Sequence, residues 1–145
     1  MEISSSEFEN GKRIPDKYTC EGEDVNPSLE ISGVPEKTQS LALILDDPDS
    51  PGKTWVHWLV WNIDPSIKKI EEGSVPGGAI QGTTDFGKTQ YGGPCPHGGT
   101  HRYFFRLFAL DEKLDLVQGS SRDELEKSME GHIIEKAELS GMYSR

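Results

Sequence analysis

Three short runs constrain this chain more than anything else in it: Ser40–Asp46 (SLALILD), Trp55–Ile63 (WVHWLVWNI) and Tyr103–Leu110 (YFFRLFAL). Each is rich in apolar, aromatic or β-branched residues, too short for a typical helix, and bounded by Pro, Gly or Asp, as strands are. The first is almost continuously apolar and reads as a strand buried on both faces. Glu2–Ile3, Leu29–Ser32 and Ala137–Tyr143 are weaker strand candidates. One helix start is distinct. Ser121-Arg122-Asp123-Glu124 fits a capping box with Ser121 as N-cap. Leu125, Met129 and Ile133 then recur at spacing four, as one apolar face, and Gly131 ends or weakens the helix. The expected fold is a mainly β domain spanning residues 1–145 with one short C-terminal helix.

Composition narrows the function classes. Fifteen Lys+Arg against twenty-five Asp+Glu give a net charge of -10, which opposes general nucleic-acid binding and adsorption to anionic lipid. No apolar run reaches the roughly 20 residues needed to span a bilayer. The polar N-terminus lacks a signal-peptide core, so a soluble, cytoplasmic setting is expected. Cys20 and Cys95 lack metal-pair spacing. Two buried free thiols are the favoured reading, with a bridge the alternative in an oxidising or hyperthermophilic setting.

Residues 71–96 form a long glycine- and proline-rich loop region. Phe86 and Tyr91 within it suggest an ordered loop with anchors. Ahead of the middle run lies Asp46-Asp47-Pro48-Asp49-Ser50-Pro51, three carboxylates at the end of a buried strand. Strict alternation puts Trp55, His57, Leu59 and Trp61 on one face and Val56, Trp58, Val60 and Asn62 on the other. His101 and Tyr103 share a face if the third strand begins that early. In isolation, His57 reads as a core histidine, the aspartates as a solvated turn, and Gly92-Gly93-Pro94-Cys95-Pro96 as a rigid loop. Together they describe a pocket of His, Asp, Tyr, Trp and glycine amides, suited to a phosphate-sized anion. Glycine amides can form an anion-binding nest, and a neighbouring carboxylate favours an imidazolium.

These blocks resemble the phosphatidylethanolamine-binding protein family, which includes the Raf kinase inhibitor proteins, and most closely its bacterial and archaeal branch. The similarity rests on Asp47-Pro48-Asp49-Ser50-Pro51, on Trp55-x-His57 with Trp58-Leu59-Val60, and on Tyr91-Gly92-Gly93-Pro94-Cys95-Pro96 leading to Gly99-x-His101-Arg102-Tyr103. Weaker agreement runs from Ile14-Pro15 to Gly141-Met142-Tyr143, so the likeness covers nearly the whole chain. The resemblance implies a β-sandwich with Greek-key topology and an anion cavity lined by Asp47, Asp49, Pro51, Trp55, His57, Gly93, Pro96, His101 and Tyr103. Asp47 would brace a histidine or the ligand, and His57, His101 and Tyr103 would contact the anion. Arg102 would make a structural ion pair, with Asp46 facing solvent. His97 stands where the family usually has a second proline.

The expected function is non-enzymatic binding of a small anion, whether phosphate, a phosphorylated compound or a carboxylate, with no cofactor and no metal. The resemblance also implies a protein target, a kinase or a serine protease, inhibited through a protein surface. A metal-dependent hydrolase using Asp47, Asp49, His57, His97 and His101, with a Cys95-x-His97-x3-His101 cluster, is a third reading. The chain would act as a monomer or homodimer.

Overall fold

The computed structural model describes all residues 1–145. Nine strands and one α-helix, with a single 3-10 turn at Asp16–Tyr18, follow in order: β1 (Glu2–Ser4), β2 (Lys12–Arg13), β3 (Leu29–Ser32), β4 (Ser40–Asp47), β5 (Trp55–Ile63), β6 (Lys69–Ile70), β7 (Ile80–Gln81), β8 (Thr100–Leu110), α1 (Arg122–Met129) and β9 (Ile133–Ser144). They build a three-stranded sheet, β1-β3-β6, and a six-stranded sheet, β2-β9-β8-β4-β5-β7. Ile3, Leu29, Ile31 and Ile70 from the small sheet meet Leu41, Leu43, Leu45, Phe105 and Leu107 from the large one in a single core. This is a mainly β, two-sheet architecture. β8 lies between β9 and β4, far apart in sequence, which is consistent with Greek-key connections. No helix is long and apolar enough to cross a membrane.

The apolar continuity of β4 has a direct cause. Leu41, Leu43 and Leu45 face the inter-sheet core, while Ala42 and Ile44 face a smaller cluster closed by Leu125 and Met129 of α1. The helix begins with the expected capping box, the Ser121 hydroxyl accepting from the Glu124 amide and the Glu124 carboxylate accepting from the Ser121 amide. It ends earlier than the apolar spacing suggests. Gly131 takes φ +79°, a left-handed turn that a helix cannot continue through, and Ile133 opens β9 instead of extending the helix face. β9 therefore starts at Ile133 rather than Ala137.

Strict alternation fails in β5. Leu45 opposes Trp58 and Asp46 opposes Val56, so His57 is an extra residue with no opposite number. Such a bulge resets which face the following side chains take. Trp58 and Val60 enter the inter-sheet core, whereas Val56, Leu59 and Trp61 enter the cluster under α1. His57 thus does not share a face with Leu59 and Trp61. It meets Tyr103 of the inter-sheet core edge-on, at 5.3 Å between ring centroids.

The cysteines are bonded to each other, not free. The 91–95 segment is laced to the 18–24 segment. The Cys20 amide donates to Pro94 O at 3.1 Å, the Gly93 amide to Asp24 Oδ1 at 2.7 Å, and the Tyr91 hydroxyl to Tyr18 O at 2.7 Å. This brings the Cys20 and Cys95 Cα atoms to 5.4 Å, within ordinary disulfide range.

Candidate functional site

The ends of β4 and β8, the start of β5 and the loop at 95–98 converge on a cavity of about 420 Å³. Asp47 reaches it because alternation along β4 puts it on the same side as Leu45. Its side chain is nearly inaccessible and both oxygens are used. Oδ1 accepts the Asp49 amide at 2.8 Å, closing the turn, and Oδ2 accepts Nδ1–H of His101 at 2.6 Å. His57 is 3% exposed and its Nδ1 lies 2.7 Å from Gly92 O. A carbonyl oxygen only accepts, so Nδ1 carries the hydrogen. Burial is the chief effect on this imidazole and lowers its pKa, outweighing Gly92 O and the Asp47 carboxylate, which act the other way. The imidazolium expected from a neighbouring carboxylate is therefore not favoured at His57.

Tyr103 forms the floor. It is completely buried, and its hydroxyl has no hydrogen-bond partner of normal geometry in the protein. Burial first, then the Asp47 carboxylate, raises its pKa, so the hydroxyl keeps its hydrogen. A buried donor left unpaired is costly and marks a place where a ligand or water belongs. Trp55 and Phe86 form an aromatic rim, edge-to-face at 5.9 Å, and Phe86 also meets the His57 ring at 5.1 Å. No Lys or Arg lines the cavity.

Seven of the nine residues singled out in the sequence therefore meet here: Asp47, Pro51, Trp55, His57, Pro96, His101 and Tyr103. Asp49 does not. Its carboxylate accepts from the Arg102 amide at 2.8 Å, from Nε at 2.9 Å and from Nη2 at 2.9 Å, which holds its pKa down to about 2. Arg102 makes the expected ion pair, and Asp49 is its partner. Gly93 also falls outside. A Cβ there would lie 2.2 Å from Tyr18 O, so this glycine is required by close packing. Nor do the loop glycines form an anion nest, because the Gly92 amide donates to His57 O and the Gly93 amide to Asp24.

Ser50, Phe86, Cys95, His97 and Gly98 complete the lining. His97 stood out in the sequence as a departure, and Phe86 as a loop anchor. Phe86 instead sits 42% exposed at the rim, while the buried Tyr91 anchors the loop. The Cys95 sulfur is held in the bridge, which removes it from any Cys95-x-His97-x3-His101 ligand set. Asp46 is not the solvent-facing member of the acidic turn. It is 1% exposed and bonded to Arg106 Nε at 3.0 Å and Arg122 Nη1 at 2.7 Å. A larger cleft, about 650 Å³, lies between α1 and β9. Several of its charged side chains are already paired, Arg106 with Glu138 and Arg122 with Glu126, so the smaller cavity with its unpaired hydroxyl is the stronger site.

A family model described as phosphatidylethanolamine-binding protein matches residues 4–144. A UPF0098 protein of Methanothermobacter thermautotrophicus is 47% identical, with 100% of this chain and 99% of that protein covered. Another, from Pyrococcus horikoshii, is 50% identical over 97% of this chain and 75% of its own length. Among solved structures, a phosphatidylethanolamine-binding protein homologue from Chlamydia trachomatis superposes with TM-score 0.95 at 39% identity, covering 99% of this chain and 97% of its own. Escherichia coli YbcL, described as a member of the mammalian PEBP family, gives TM-score 0.93 at 34% identity, covering 99% and 98%.

Proposed function

Given that this chain belongs to the phosphatidylethanolamine-binding protein family, we propose that it is a non-enzymatic binding protein whose cavity holds a phosphate-like anionic group. The observation that carries this reading is the Tyr103 hydroxyl, fully buried, unpartnered and lining the same cavity as His57 and His101. Both imidazoles are braced through Nδ1, by Gly92 O and by Asp47, which leaves each Nε2 for the cavity. His101 gains an Nε2–H donor when protonated. The aromatic rim of Trp55 and Phe86 gives the organic part of a phosphate ester an apolar wall. The absence of a free thiol supports a binding role over covalent catalysis by Cys95.

Titration with inorganic phosphate near pH 6, followed by tryptophan fluorescence, tests this directly. Trp55 at the rim reports occupancy. Saturable quenching or enhancement is expected, with affinity reduced about tenfold or more in Tyr103→Phe and His101→Ala, the usual cost of losing a hydrogen bond to a charged group. Fluorescence indifferent to phosphate, or identical affinities in both variants, would contradict the assignment.

A further inference from the structure

The cavity offers an anion an unusual set of partners. One can donate: the Tyr103 hydroxyl, which keeps its hydrogen and has no protein partner of normal hydrogen-bond geometry. Another is a definite acceptor. His57 Nδ1–H is committed to Gly92 O, so in the neutral ring Nε2 has a lone pair and no hydrogen. The groups packed around this ring do little to change that. Phe86 and Tyr103 meet it edge-on, and the carboxylates of Asp47 and Asp24, which favour the charged form, are outweighed by burial. No Lys or Arg lines the cavity, and the other imidazoles there are those of His97 and His101. An oxygen without a hydrogen, placed at His57, would set lone pair against lone pair.

We propose that the cavity selects oxyanions that carry a hydrogen, phosphate monoesters in their monoanionic form, with His57 Nε2 accepting that hydrogen while Tyr103 donates to another oxygen. This rests on the anion-binding role proposed above and adds a selectivity to it. His57 becomes a specificity-determining residue that distinguishes phosphate esters from sulfate esters of the same shape.

Methyl phosphate and methyl sulfate test this cleanly. At pH 5.5 both are singly charged and nearly isosteric, and they differ by one hydrogen. Calorimetric titration of the intact protein should show methyl phosphate binding about 10- to 100-fold more tightly, the range of one hydrogen bond to a charged group. Above pH 6, near the second ionisation of phosphate monoesters, its affinity should fall about tenfold per unit as the hydrogen is lost. In His57→Gln, whose amide can donate as well as accept, the preference should shrink to about threefold or less. The wild-type ratio at pH 5.5, and a pH profile steeper for methyl phosphate than for methyl sulfate, which shares any loss of the His101 donor, decide the question even if that variant fails to fold. Methyl sulfate binding as tightly as methyl phosphate at pH 5.5, or a methyl phosphate affinity flat from pH 5.5 to 8, overturns the selectivity and leaves the anion site standing. Failure of both esters to bind at pH 5.5 overturns both.

Discussion

Asp46, Asp47 and Asp49 are close in the sequence and finish in three different surroundings. Asp47 braces His101 inside the cavity, Asp49 pairs with Arg102 at its edge, and Asp46 is buried on the opposite face between Arg106 and Arg122. Alternation along β4 foretells that Asp46 and Asp47 diverge. It cannot say that Asp46 is buried, because its two arginines come from β8 and α1, which only the fold brings to it. Asp46→Ala leaves Arg106 and Arg122 partly exposed and still paired with Glu138 and Glu126, so the loss is that of charge-assisted hydrogen bonds and not of a stranded buried charge. The variant should be destabilised by about 1–2 kcal/mol, read as a lower midpoint in urea unfolding. A midpoint within error of wild type would show the cluster to be a solvent-screened surface pair. His57 teaches a related lesson. Its place in the cavity was legible from the motif, but its neutral state was not, since that depends on burial and on one carbonyl oxygen at Gly92.

At the level of elements, the three long central strands and the helix cap were readable because each depends on local signals: apolar runs, flanking Gly and Pro, and the Ser121–Glu124 box. The bulge at His57 was not. It arises from the register between β4 and β5, a pairwise property that no single strand displays. The role of the loop carrying Cys95 is not legible in the sequence for a similar reason. Its glycines were assigned to ligand binding, yet Gly93 serves close packing against Tyr18 and the Cys20–Cys95 bridge ties the two loops together. The two cysteines are 75 residues apart, and closing a loop of that length removes enough unfolded-chain freedom to be worth about 4 kcal/mol. Reduction, or Cys20→Ser with Cys95→Ser, should lower unfolding stability by an amount of that order, measured by urea unfolding with and without dithiothreitol. Identical curves would mean that the hydrogen bonds between the loops suffice without the bridge. Such a bond persists in an oxidising compartment or in the interior of a hyperthermophile, where a cytoplasmic thiol pair would otherwise be expected.

For the molecule as a whole, the mainly β fold and the family were legible from ordered motif blocks, and the solved relatives share the architecture over nearly the full chain. The net charge of -10 gives the protein a field that repels anions, so attraction at long range cannot account for an anion site. Any affinity has to come from short-range donors and acceptors inside the cavity: Tyr103 Oη, the Nε2 atoms and whatever proton the ligand brings. A crystal of the protein soaked in phosphate at pH 6 tests that most directly. The account predicts a phosphate among His57, His101 and Tyr103, with one oxygen about 2.7 Å from Tyr103 Oη. A cavity holding only water at saturating phosphate, or phosphate bound solely in the cleft between α1 and β9, would contradict it.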